Sequence, residues 1–119
     1  MTAKTYEGSC HCGAVKYQVT MEPPKKAFTG NCSMCERAGY TLVFVPSENF
    51  RLLQGQDALT DYQFNRHHIH HLFCGTCGIK SFSTGKDSQG KETAAINLRC
   101  IPEIDARSLE IESYNCKVL

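Results

Sequence analysis

Eight cysteines stand in a chain of 119 residues, and six of them fall in three close groups: Cys10 and Cys12, Cys32 and Cys35, and Cys74 and Cys77. Thiolates this near one another along a chain can grip a single metal ion at about 2.3 Å, the sulfur distance typical of zinc. Cys100 and Cys116 stand alone. The opening residues, MTAKTY, hold no apolar run of the kind that directs secretion. The expected compartment is therefore the reducing cytoplasm, where disulfides do not persist. Were the chain secreted, eight cysteines would admit many pairings, and the sequence does not choose among them.

Cys10, Cys12, Cys74 and Cys77 form the strongest constellation. A glycine follows each second cysteine, Gly13 and Gly78, and an aromatic stands five positions beyond each of those cysteines, Tyr17 and Phe82. Glycine accepts a positive φ at no steric cost, which lets backbone N–H groups turn toward the sulfurs. Such N–H···S contacts spread the charge of a four-thiolate shell. Cys-Gly alone is ordinary turn chemistry, but finding it twice at cysteine pairs favours a metal. Four thiolates with no redox motif favour zinc over iron. A filled shell has no open position, so the expected role is structural. Zinc binding in small peptides is worth ~10–16 kcal/mol, enough to decide whether a domain stable by ~5–15 kcal/mol stays folded.

Four of the five histidines crowd into His67-His68-Ile69-His70-His71. In a strand His68 and His70 share one face, and His67 and His71 share the other. One of these imidazoles could serve as a zinc ligand or as an acid or base near neutral pH. The commoner outcome is exposure for most, with His71 packing beside the structural metal. His11, between two ligands, is expected to face solvent. Arg37 and Arg99 could hold a substrate carboxylate through paired N–H donors, although surface or structural ion pairs are the usual fate of arginine. Cys100 and Cys116 read as small apolar residues, and Tyr17, Phe44, Phe64, Phe73 and Phe82 as core.

The elements that must position these residues are short strands. Val15, Tyr17 and Val19 recur at period two, as do Thr60, Tyr62 and Phe64. Residues 41–45 (TLVFV) read as a buried strand, and 50–53, 70–73, 79–83, 93–98 and 109–114 as further strands. Turn residues separate them at 22–24, 46–49, 54–57 and 85–90. Only 35–40 could hold a helical turn. The reading is an all-β domain of about nine strands, one domain over residues 1–119. Thirteen basic and twelve acidic residues leave a net charge of +1, which supplies no broad footprint for nucleic acid. No apolar run approaches the ~20 residues of a membrane helix. Oligomeric state is not legible.

Residues 8–17 (GSCHCGAVKY), 31–39 (NCSMCERAG), 70–82 (HHLFCGTCGIKSF) and 96–101 (INLRCI) resemble, in order, the motifs of glutathione-dependent formaldehyde-activating enzymes and centromere protein V. The resemblance runs from about Tyr6 to Lys117. It implies a β-tent fold of several small twisted antiparallel sheets around zinc, with a structural zinc held by Cys10, Cys12, Cys74 and Cys77. It also implies a catalytic centre at the second motif, usually C-x-C-x-x-C, whose three thiolates hold a second zinc and leave a position for the glutathione thiol. The implied reaction joins glutathione and formaldehyde into S-hydroxymethylglutathione, with a carbon–sulfur lyase step in reverse. Here Gly30 stands where the first cysteine of that motif falls, so Cys32 and Cys35 are the catalytic candidates and the two thiolates available to a second zinc. The alternative is a zinc-stabilised binding or scaffold module without catalysis.

Overall fold

The structure, a computed structural model, describes residues 3–30, 33–63, 69–86 and 89–114, with the side chains of 33–35 and 114 outside that description. Alternation at Tyr17, Val19 and Met21 buries one face of β2 (Lys16–Met21), which pairs antiparallel with β1 (Lys4–Ser9) on one side and β5 (Phe50–Gln54) on the other. In β1 only Tyr6 and Gly8 are buried. Gly8 lies opposite Tyr17, and a Cβ there would stand 2.4 Å from the Tyr17 ring, so the missing side chain is what admits that ring.

The remaining strands form a seven-stranded sheet in the order β10-β3-β4-β9-β8-β7-β6. These are β3 (Lys26–Gly30), β4 (Leu42–Pro46), β6 (Leu59–Tyr62), β7 (Ile69–Cys74), β8 (Phe82–Lys86), β9 (Glu92–Asn97) and β10 (Glu110–Tyr114). All its pairings are antiparallel except that of β10 with β3, which is parallel at the sheet's edge. Tyr17 and Phe50 from the smaller sheet meet Phe82 from the larger one, with ring centroids 5.4 Å (Tyr17–Phe50), 4.5 Å (Phe50–Phe82) and 6.0 Å (Tyr17–Phe82) apart. Ile96, Leu98, Ile101 and Val19 close the same core, which sits between the two sheets.

The all-β expectation holds, in two sheets, one of them larger than the small sheets expected. The helical turn expected at 35–40 is α1 (Ser33–Ala38), ended by Gly39 at φ 67°. Two strands, β1 and β3, went unforeseen. The strand expected at 79–83 begins only at Phe82, because Ile79 and Lys80 give their carbonyls to Cys74 N–H and the Asn97 side chain rather than to a ladder. Phe44 is not core: it lies on an open face against Phe28, centroids 5.9 Å apart. Phe64 lies outside the described residues. No described helix is long and apolar enough to cross a membrane.

Candidate metal centre

Two matching loops build the centre. Cys10 follows β1, and its N–H donates to Val15 carbonyl across 3.1 Å; Cys74 ends β7, and its N–H donates to Ile79 carbonyl across 3.0 Å. Each loop turns at its glycine, Gly13 at φ 82° and Gly78 at φ 81°. Gly13 N–H donates to Cys10 carbonyl (3.3 Å) and Gly78 N–H to Cys74 carbonyl (2.8 Å). The turns expose N–H groups to sulfur: Val15 N–H lies 3.3 Å from Cys10 Sγ, and Thr76 and Cys77 N–H lie 3.4 and 3.5 Å from Cys74 Sγ.

The loops bring Cys10, Cys12, Cys74 and Cys77 together, with all four Sγ atoms within 4.8 Å of one another. Cys12 Sγ lies 3.6 Å from both Cys10 Sγ and Cys74 Sγ. Four sulfurs at zinc's bond length on tetrahedral corners stand ~3.8 Å apart, so the donor set fits such an ion. The thiols are unequal. Backbone N–H groups of Cys12 and Ile79 draw the Cys77 pKa down to about 6, and those of Cys77 and Thr76 lower that of Cys74. At Cys12 the Ala14 N–H also favours the thiolate, but burial and the neighbouring Cys10, Cys74 and Cys77 thiols outweigh it and push the pKa up to about 11. Like charges this close cannot all ionise alone; a divalent cation would let all four thiolates form together.

Cys100 is half-buried, and burial raises its thiol pKa, with the Cys10 and Cys77 sulfurs adding to that rise. Cys32, Cys116, His67 and His68 lie outside the described residues, as does the side chain of Cys35. His11 is exposed. The exposed His70 ring meets Asp61, with Nδ1 2.8 Å from Oδ2. His71 is buried, and burial first, then Lys80, lowers its pKa to about 4. Arg99 is exposed, and its Nε donates to Thr41 Oγ1 across 3.1 Å. Arg37 is exposed in the last turn of α1.

The sequence reading overlooked Lys80, which is buried with Nζ 2.5 Å from His71 Nδ1. Its one signal is a lysine flanked by isoleucine, serine and phenylalanine just past a cysteine loop.

The family model described as glutathione-dependent formaldehyde-activating enzyme matches residues 5–117. A crystal structure of a Rhodobacter sphaeroides protein superimposes with a TM-score of 0.78, at 28% identity, covering 89% of this chain and 99% of that one.

Proposed function

The chain belongs to the family of glutathione-dependent formaldehyde-activating enzymes, and from that membership we propose that it is a carbon–sulfur lyase acting on thiol–aldehyde adducts such as S-hydroxymethylglutathione. The match over residues 5–117 carries the reading, since it takes in both the four-cysteine centre and the Cys32–Cys35 motif. In the lyase direction the adduct's hydroxyl loses its proton, a carbonyl forms, and the carbon–sulfur bonding pair leaves on sulfur as a thiolate, which takes up that proton to give the thiol. In reverse the thiolate adds to the aldehyde carbon. Both directions need a stabilised thiolate held at a fixed distance from the carbon.

Cys10, Cys12, Cys74 and Cys77 would hold a structural zinc, a filled shell that fixes the fold rather than meeting substrate. Cys32 and Cys35 are proposed as the catalytic pair and as two ligands of a second zinc. An ion there would supply positive charge that stabilises a sulfur anion. Arg99, steadied by Thr41, offers donors to a substrate carboxylate of the kind glutathione carries. The net charge of +1 supports a small-molecule partner over nucleic acid, and cysteines grouped to hold a metal rather than to pair as disulfides support a reducing compartment such as the cytoplasm.

One observation favours a second reading, a zinc-stabilised scaffold without catalysis: Gly30, the last residue of β3, takes the place of a thiolate. The two readings separate in the exchange of ¹³C-formaldehyde with glutathione, followed by NMR. A lyase accelerates exchange, and Cys35→Ser returns it to the uncatalysed rate. Wild-type protein that leaves exchange at the uncatalysed rate, with glutathione and with other small thiols, rules out the lyase. Activity gained only in Gly30→Cys would favour the scaffold.

A further inference from the structure

Among the described residues the buried polar and charged side chains are Thr41, His71, Lys80, Ser81, Ser83 and Asn97. They gather at one end of the seven-stranded sheet. Asn97 bonds to the backbone of Lys80 and Ser81, Leu98 N–H to Thr41 carbonyl, and His71 lies opposite Ser83. Five of these six are neutral at neutral pH; Lys80 alone brings an ammonium. Lysine is rarely this buried without a specific partner.

The backbone around Lys80 is held on both sides. Its carbonyl accepts from Asn97 Nδ2 at 3.1 Å, and the Ser81 carbonyl accepts from Asn97 N–H at 2.9 Å. Its ammonium reaches His71 Nδ1 at 2.5 Å and lies 4.1 Å from the centroid of the Tyr40 ring. An ammonium only donates, so Nδ1 accepts and the imidazole proton sits on Nε2. The negative face of Tyr40 attracts the same cation, more strongly where water is excluded. These three residues come from separate places. His71 precedes Cys74 on β7, Lys80 follows Cys77 at the loop's exit, and Tyr40 follows Gly39 at the end of the helix that contains Cys35.

We infer that Lys80 is a positioning residue for the second cysteine motif: its ammonium, seated between His71 and Tyr40, fixes the C-terminal end of α1 against the Cys74–Cys77 loop. Its bearing on catalysis rests on Cys32 and Cys35 being the reacting pair. The pinning of α1 does not.

Amide hydrogen exchange on the protein as purified tests this at neutral pH. Lys80→Met keeps the bulk and removes the charge; it is expected to speed exchange of residues 36–41 at least tenfold while the Cys74 and Gly78 amides stay within twofold. Lys80→Arg restores slow exchange. If Lys80→Met fails to fold, Tyr40→Leu is expected to give the same local pattern, and Tyr40→Phe, which keeps the ring face, the wild-type pattern. Wild-type exchange at 36–41 in Lys80→Met or Tyr40→Leu overturns the inference. A rise spread evenly over the chain also overturns it, since that marks an ordinary core residue. The readout needs no turnover, so an inactive wild type leaves the inference standing, and an active wild type with unaltered exchange in the variants removes this inference alone.

Discussion

A methyl group on Gly8 would collide with the Tyr17 ring at 2.4 Å, and Tyr17 is fully buried against Phe50 and Phe82. Gly8→Ala is therefore expected to cost about 2–3 kcal/mol by overpacking, and less in a Tyr17→Leu background, as urea unfolding would show. The Tyr17 hydroxyl has no hydrogen-bond partner among the described residues. Removing an unpartnered buried hydroxyl relieves a desolvation cost, so Tyr17→Phe should leave stability unchanged or raise it by about 1 kcal/mol. His71 carries a pH signature. Its folded pKa of about 4 lies below the 6.5 of the free side chain, so between these values the unfolded chain binds the extra proton. The contribution of neutral His71 is whole above pH 6.5 and is lost as pH falls toward 4, at no more than ~1.4 kcal/mol per pH unit. Lys80 and His70 oppose protonation and Asp61 favours it. The difference in unfolding free energy between wild type and His71→Gln, measured from pH 7 to pH 4, should follow that slope.

At the scale of elements, the two cysteine loops are near-copies, and their glycines bear the same conformation. Nothing lies within 4 Å of a Cβ placed on Gly13 or Gly78, so alanine there meets backbone strain alone. Gly13→Ala and Gly78→Ala should each lower stability by about 1–2 kcal/mol, and by similar amounts, in thermal unfolding of the metal-loaded protein. These loops were legible from spacing because both ligands and turn residue are local in sequence. So was β2, whose alternation is unbroken. β1 and β3 were not: the first buries only Tyr6 and Gly8, the second only Ala27, too few apolar side chains to make a pattern. Their place is decided by the strands beside them. His71 was expected to pack inside, and it is buried; Lys80 was hidden for a related reason, since burying an ammonium depends on three segments that meet only after folding.

Across the whole molecule, among the described residues, the sheets are joined by the core around the Tyr17–Phe50–Phe82 rings and by the four cysteines, Cys10 and Cys12 leading into β2, Cys74 ending β7 and Cys77 following it. Removing metal with a strong chelator would leave the apolar core, the rings and the aliphatic side chains around them, to hold the sheets in register without the cysteine link. The expected outcome is loss of the cooperative thermal transition and of near-ultraviolet dichroism, both recovered on adding zinc; Cys32→Ser/Cys35→Ser protein should keep one zinc per chain by elemental analysis. The parallel pairing of β10 with β3 bears on the order in which the molecule is made. Lys26 finds its neighbour only when Glu110 exists, so throughout synthesis the outer edge of β3 presents unpaired N–H and C=O groups, with Phe28 beside them. An open edge of that kind recruits other strands, and a pairing this distant along the chain forms slowly. The nascent chain is thus most prone to self-association in the interval before β10 docks, and a chaperone that shields strand edges would have its greatest effect there.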